Sequence, residues 1–344
     1  MHDVINVSVA SDTLLRILLL GTISFLLSML LTPLYTTMAY RGQWWKKPRT
    51  EASGGGSAAV YTKLHAEKHK RHIPTMAGII FVIAIGLVTV LFNLKRSETW
   101  LPLAAMLCSG AIGLFDDVIN IRSTGGIAGM RAKIKFLLHS LVALAGGWWL
   151  FAKLGVDTIN LGFTTLYVGV FIVAIFWFVV IATANAVNIT DGLDGLAGGL
   201  LASSFGVYTI IAGIEGQYAL AGFCLAVVGA LLSYTWFNIY PARFFMGDVG
   251  SFALGTALGI IAIQTNTIYV LPVIGIIYVA ETGSVIVNRI SKKLRHGKKV
   301  FLSSPIHHHF EAIGWPETKV TMRFWIMGQV ASVIGLIIFL LGRK

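Results

Sequence analysis

Apolar residues along this chain come in long uninterrupted runs, not in the short alternations of a half-buried strand or the stripes of a water-facing helix. No side chain is charged across residues 74–94, and none across 166–189. Each run reaches the ~20 residues that carry a helix through the hydrocarbon core of a bilayer. Nearly uncharged stretches beginning near Leu14, Pro74, Trp100, Ile134, Leu166, Gly195, Gln217, Gly250, Thr267 and Thr321 predict about ten such helices. The pattern therefore predicts an all-α integral membrane protein, a single polytopic domain over residues 1–344. Residues 1–13 carry Asp3 and Asp12 and no basic leading segment, so the first span is expected to serve as its own uncleaved insertion signal.

Composition agrees: 56% of residues are hydrophobic and 12% charged, against roughly a quarter charged in soluble domains. The net charge of +12 is informative through its placement. Loop 41–73 holds Arg41, Lys46, Lys47, Arg49, Lys63, Lys68, Lys70 and Arg71, and the loop after Asp117 holds Arg122, Arg131, Lys133 and Lys135. Loop 288–320 adds Arg289, Lys292, Lys293, Arg295, Lys298, Lys299 and Lys319. The alternate loops offer only Lys95, Arg96 and Lys153 as clear basic residues. Lysine and arginine collect in cytoplasmic loops, so the odd-numbered loops are expected in the cytoplasm and both termini outside, periplasmic or extracellular. Such a basic rim suits anionic lipid headgroups and a polyphosphate substrate, and nucleic acid is not expected as a partner. Most of these lysines need do no more than set topology.

Within loop 41–73, the Ser-Gly-Gly-Gly-Ser core of residues 51–60 reads as a flexible linker. Residues 288–300 mix Ile290, Leu294 and Val300 with six basic residues, which predicts a short helix lying in the interface. Cys108 and Cys224 sit in apolar runs without metal-type spacing and read as packing residues. No internal repeat is apparent, which argues against a transporter built from repeated halves.

Carboxylates at membrane depth are costly and mark functional sites by default. Here they gather at the ends expected to face the cytoplasm: Asp116 and Asp117 closing the third span, Asp191 and Asp194 between the fifth and sixth, Asp248 opening the eighth. His307, His308 and His309 follow in the ninth loop. Taken singly, each has a plain structural reading. Asp116-Asp117 could be a solvated helix end, and Asp191 and Asp194 a cap and a first-turn residue. Adjacent histidines do not share a helix face, so a loop with one or two side chains on phosphate is expected rather than a metal site. Together they suit phosphoryl transfer between anions, because clustered carboxylates repel unless a cation holds them. Magnesium takes one or two carboxylates plus phosphate oxygens and water.

The strings Pro74-Thr-Met-Ala-Gly, Phe115-Asp-Asp, Asn185-Ala-Val-Asn-Ile-Thr-Asp-Gly-Leu-Asp-Gly-Leu-Ala, Trp236-Phe-Asn, Phe245-Met-Gly-Asp-Val-Gly-Ser and Pro305-Ile-His-His-His-Phe-Glu resemble those of the phospho-N-acetylmuramoyl-pentapeptide transferase family. Gly314-Trp-Pro-Glu and Arg323-Phe-Trp extend the resemblance, which runs in order from about Pro74 to the C-terminus. The family is a branch of the polyprenyl-phosphate N-acetylhexosamine-1-phosphate transferases. The resemblance implies ten helices in the bacterial inner membrane, the site facing the cytoplasm, and a Mg²⁺-dependent reaction of UDP-MurNAc-pentapeptide with undecaprenyl phosphate to give lipid I and UMP. It implies Asp116 as base, with Asp117 beside it, and Asp248 on magnesium or as nucleophile, with Asp117 and Asn188 as further metal candidates. Asn188, Asp191 and Asp194 fall in the nucleotide and metal region, Phe245 would stack on uracil, and Asn238 would line that pocket. His307, His308 and His309 would lie near the diphosphate, and Lys70 at the nucleoside. Asn288 stands where the family commonly has glutamine and is a further substrate-binding candidate. His72-Ile73, Ala77 and Asn120 also depart from the family pattern. Membrane lipids are expected partners, and a second copy of the chain is left open. Transfer of GlcNAc-1-phosphate, as in sister families, and transport are the competing readings.

Overall fold

The computed structural model describes residues 2–45, 72–123 and 129–343. The Gly/Ser segment 51–60 and Lys70 lie outside these described residues. The helices, in chain order, are α1 (His2–Arg41), α2 (Gly78–Phe92), α3 (Trp100–Arg122), α4 (Ala132–Leu154), α5 (Ile172–Thr190), α6 (Leu196–Ile214), α7 (Tyr218–Asn238), α8 (Gly247–Gln264), α9 (Leu271–Ile274), α10 (Ile276–Leu294), α11 (Ile306–Ala312) and α12 (Glu317–Gly342). The bundle is helical throughout, as the all-α expectation has it, with one small addition. Strands β1 (Thr158–Asn160) and β2 (Thr165–Tyr167) form a small antiparallel ribbon, Ile159 opposite Leu166. The fifth helix accordingly starts at Ile172, not near Leu166.

Eight helices among the described residues are long and apolar enough to cross a membrane. α2 is apolar but spans 15 residues. α10 falls short on hydropathy for a different reason, visible in its burial. Its inward face carries Glu281, Ser284, Asn288 and Ser291, all buried, while Val279, Ile286, Val287, Ile290 and Leu294 are exposed. Polar-in and apolar-out is the arrangement of a helix with lipid outside and protein inside. The basic stretch from Asn288 is thus no separate interfacial helix as expected; through Leu294 it is the last two turns of α10.

α8 is the axis of the bundle. Every residue from Val249 to Ile263 is buried, enclosed by α3, α5, α2 and α6. Small residues along it let backbones approach closely: a Cβ on Gly78 of α2 would stand 2.5 Å from Gly250 Cα. α1 packs along α7, and α6 lies between α7 and α12. Outer helices turn large apolar side chains outward, such as Leu30 of α1 at 76% exposure, as a bilayer-facing surface requires. Cys224 is buried as expected, whereas Cys108 is exposed.

Candidate active site

α3 and α8 run antiparallel: Thr256 Oγ1 donates to Ser109 Oγ at 3.0 Å, and further along Val249 N–H donates to Asp117 Oδ2 at 3.2 Å. Gly113 permits the crossing between these bonds, since a Cβ there would lie 2.3 Å from the Asp248 carbonyl oxygen. The crossing sets Asp116 and Asp117, on adjacent faces of α3, against the first turn of α8, which carries Asp248. The aspartates stand about a turn and a half before α3 ends at Arg122.

α4 brings Lys135 between the two carboxylates. Its Nζ donates to Asp116 Oδ2 at 2.9 Å and also to Asp248 Oδ2. The other Asp116 oxygen accepts from Met130 N–H. The other Asp248 oxygen accepts from Asn188 Nδ2 of α5 at 3.2 Å, and that amide also reaches Ser251 Oγ at 2.9 Å. The ammonium lies 4.8 Å from the Phe252 ring centroid, and His139, one turn along α4, stacks on the same ring at 4.3 Å. Four helices thus converge on one centre. Among the described residues three carboxylates and one ammonium meet here, and Asp248 is more open (side chain 15% exposed) than Asp116 at 7%. Asp117 is fully buried at the positive N-terminal end of α8.

The motif strings around this centre hold one another. Phe245 N–H donates to the Pro74 carbonyl at 2.8 Å, and Ala77 and Gly78 N–H donate back to the Phe245 and Met246 carbonyls at 2.9 Å. Phe245 is thereby fixed at the mouth of α8. Asp194 accepts from Ala242 N–H at 2.9 Å, donates its own N–H to Glu317 at 2.7 Å, and its carbonyl accepts from Thr321 at 3.2 Å. Asn238 accepts from Gly195 N–H at 3.0 Å and donates to the Phe244 carbonyl at 2.8 Å. Asp194 and Asn238 therefore form a buried knot joining the α5–α6 turn, the end of α7 and the start of α12. Asp191 closes α5, its N–H reaching Val187 at 3.2 Å. A cavity of about 700 Å³ at this end is lined by Tyr40, Trp236, Tyr240 and Arg243 among others, and by none of these aspartates.

The three histidines are helical, not a loop as expected, and each turns to a different partner. His307, fully buried, shares a hydrogen bond with Glu281 at 2.9 Å. His308 pairs with Glu311 at 2.6 Å, and His309 Nδ1 accepts from Leu302 N–H at 3.3 Å. Gly192 must lack a side chain because a Cβ there would lie 2.3 Å from His307 Nε2. His307 is thus packed against the turn between Asp191 and Asp194. Asn288 accepts from Val300 and Phe301 N–H at 3.0 and 2.9 Å and donates to the Phe301 carbonyl at 3.2 Å. It closes the loop after α10.

Sequence reasoning assigns no role to Lys135, Ser251, Glu281 or Glu317, although Ser251 and Glu317 fall within the resembling strings. Lys135 counted there as one more topological lysine. Its only distinguishing signal was position in the first turns of an apolar helix. Glu281 carried a clearer one, a carboxylate inside an otherwise uncharged run.

For a metal, the donors here are hard oxygens: the Asp248 and Asp117 carboxylates and the Asn188 amide oxygen. Among the described residues no three His, Cys, Asp or Glu side chains form a closed cage. An open carboxylate set of this kind suits magnesium, which retains waters and takes substrate phosphates, better than zinc.

Residues 99–266 match the family described as glycosyl transferase family 4. The chain is similar to proteins named phospho-N-acetylmuramoyl-pentapeptide-transferase. It is 37% identical to that of Geobacillus sp. (strain WCH70) over 330 residues, covering 92% of this chain and 95% of the relative. It is 38% identical to that of Francisella tularensis subsp. tularensis (strain WY96-3418) over 292 residues, 78% of this chain and 80% of the relative. The protein of that name from Francisella philomiragia is 37% identical over 293 residues, again 78% and 80%.

Proposed function

The chain belongs to the phospho-N-acetylmuramoyl-pentapeptide transferase family, and on that premise we propose that the Asp116–Lys135–Asp248 centre is where the transfer takes place. The protein transfers phospho-MurNAc-pentapeptide, the first membrane step of peptidoglycan synthesis. Its donor is UDP-MurNAc-pentapeptide and its acceptor undecaprenyl phosphate. The observation that carries the placement is the Lys135 ammonium held between carboxylates of two different helices. Such a centre can trade one of its carboxylate contacts for a phosphate without being rebuilt.

In the reaction, an oxygen of the lipid phosphate forms a bond to the donor's β-phosphorus as the bond from that phosphorus to the UMP oxygen breaks. One anhydride replaces another, so catalysis is mostly positioning and charge stabilisation. Lys135 meets the incoming phosphate charge. Asp116 takes the proton that the acceptor phosphate still carries, its second pKa lying at about 6. Both Asp248 oxygens accept hydrogen bonds, from Lys135 and Asn188, which suits an anchor better than a nucleophile. Asp248, with Asp117 and Asn188 as further donors, would hold Mg²⁺, which would supply charge neutralisation for the diphosphate. Phe115 and Ile119, exposed at 67% and 45% on α3 beside Asp116, offer the polyprenyl chain an apolar approach from the bilayer.

The ten principal helices are read as ten spans, α10 included, in the bacterial inner membrane with both termini outside. Arg122, Lys133, Arg289 and Lys292 lie at the catalytic end and Lys95, Arg96 and Lys153 at the other, which supports a cytoplasmic site.

The direct test supplies purified protein with Mg²⁺, undecaprenyl phosphate and either UDP-MurNAc-pentapeptide or UDP-GlcNAc, and follows UMP. Release from the muramyl donor is expected. Release from UDP-GlcNAc alone would move the specificity to the sister families, and release from neither would overturn the reading. Lys135→Met is expected to slow UMP release by about 10²–10³-fold, the scale of losing one pre-positioned charge-stabilising donor. A rate near that of the unaltered protein would remove Lys135 from the centre.

A further inference from the structure

A second site lies at the opposite end of the helices, and its argument does not depend on the reading of the catalytic centre. α2 starts beside Met246 and ends at Phe92, α3 returns from Trp100 toward Asp116, and α7 starts at Tyr218 and ends near Phe244. The 93–99 turn and the start of α7 are therefore about 20 Å or more from the aspartates, at 1.5 Å of rise per residue. A cavity of about 360 Å³ opens there, lined by Thr13, Arg16, Asn93, Leu94, Lys95 and Tyr218 among others.

Its charge is unusual for its surroundings. This end of the protein is poor in basic residues, yet two of them, Arg16 and Lys95, line one small cavity. Arg16 Nη2 donates to the Phe92 carbonyl at 2.9 Å, which aims the guanidinium while a guanidinium offers five N–H donors in all. Lys95 pairs with Glu98 Oε1, but Glu98 is held from behind: its Oε2 accepts the N–H groups of Ala219 and Leu220 at 2.8 and 3.1 Å, at the start of α7. The carboxylate thus works as a helix cap and fixes the lysine, whose side chain is 57% exposed. Among the described residues two cations, Arg16 and Lys95, line the cavity, and the nearby carboxylate of Glu98 is tied to Lys95. Asp12, one turn before Arg16 on α1, is exposed and outside the lining.

The depth of the cavity identifies the ligand. Trp100, Trp148 and Tyr218 are exposed at this end, at 44%, 58% and 53%, and Arg96 stands over the Trp149 ring at 5.6 Å. Aromatic belts of this kind mark the headgroup level of a bilayer. Immediately inward, Leu18 of α1 and Leu91 and Phe92 of α2 are exposed apolar side chains, a surface for acyl chains. From the convergence of a polar cationic cavity, belt depth and an adjoining apolar face, we infer that Arg16 and Lys95 form a binding site for the phosphate headgroup of an anionic phospholipid in the leaflet opposite the catalytic centre.

The test is native mass spectrometry of the full chain in detergent, titrated with phosphatidylglycerol or phosphatidylcholine. The unaltered protein is expected to retain one phosphatidylglycerol about tenfold more tightly than Arg16→Gln or Lys95→Gln, with phosphatidylcholine retention the same in all three. Lys95→Gln keeps the Arg16–Phe92 bond and decides the matter if Arg16→Gln fails to fold. Equal phosphatidylglycerol retention in the unaltered protein and Lys95→Gln would overturn the assignment. So would displacement of the lipid by an equal concentration of glycerol 3-phosphate, which would make the site one for a soluble phosphate.

Discussion

Asp248→Asn is expected to slow UMP release by about 10³-fold, within the range lost when a positioned catalytic group is removed, with helical content unchanged. The size follows from the hydrogen bonds. Asp248 accepts on both oxygens, from Lys135 Nζ on one and Asn188 Nδ2 on the other. An asparagine amide supplies one oxygen and one NH₂ group, so in either orientation a donor is set against a donor. Either Lys135 is released toward Asp116 alone or Asn188 is turned away, and the carboxylate best exposed to an incoming cation is gone. The same reasoning applies to Asp116→Asn, whose oxygens accept from Met130 N–H and Lys135. Steady-state UMP release at saturating donor decides it, alongside circular dichroism. Turnover near the unaltered rate in Asp248→Asn would sink the proposed centre.

Gly113→Ala carries the second large effect, through packing. Its new Cβ would come within 2.3 Å of the Asp248 carbonyl oxygen and 2.7 Å of Val249 N. These are backbone atoms of a helix buried on all sides, so no flexible side chain can yield. α3 and α8 must separate, at a cost of about 1–3 kcal/mol typical of overpacking a core. The displacement falls between the residues that carry the reacting groups, so activity is expected to drop together with the unfolding midpoint. Gly206→Ala on α6 is the control, because a Cβ there meets nothing within 4 Å. Replacing a mid-helix glycine by alanine should stabilise by roughly 0.5–1 kcal/mol where space allows. An unaltered midpoint and rate in Gly113→Ala would show that the crossing tolerates expansion.

How legible the site was depends on the residue. The motif aspartates and histidines stand out because charge in an apolar chain is expensive. Lys135 does not stand out, because a lysine at a helix end is ordinarily explained by topology. Asp194 and Asn238 sit in the right strings, yet their polar groups join turns to one another, so the part they play in a nucleotide pocket would be to shape its walls. Glu281 lay in plain view as a charge in the ninth apolar stretch. Its partner His307 is 26 residues further on, and no local pattern links the two.

The chain alone determined what local physics can determine. Runs long enough to cross a bilayer select helices, because a backbone without water must satisfy its hydrogen bonds internally. The basic loops set an expected orientation, and the cost of buried charge marked the chemistry. The tertiary structure decided everything that depends on distance between helices. It decided that Lys135 lies between Asp116 and Asp248, and that Asp117 is buried at the start of α8. It showed α10 as a helix with its polar face inward, which hydropathy cannot distinguish from a weak span. It also turned the three histidines to three separate partners. Side-chain neighbours across a bundle follow from which backbones approach closest, and that is set by glycines such as Gly113, Gly78 and Gly250 meeting at crossings far apart in sequence.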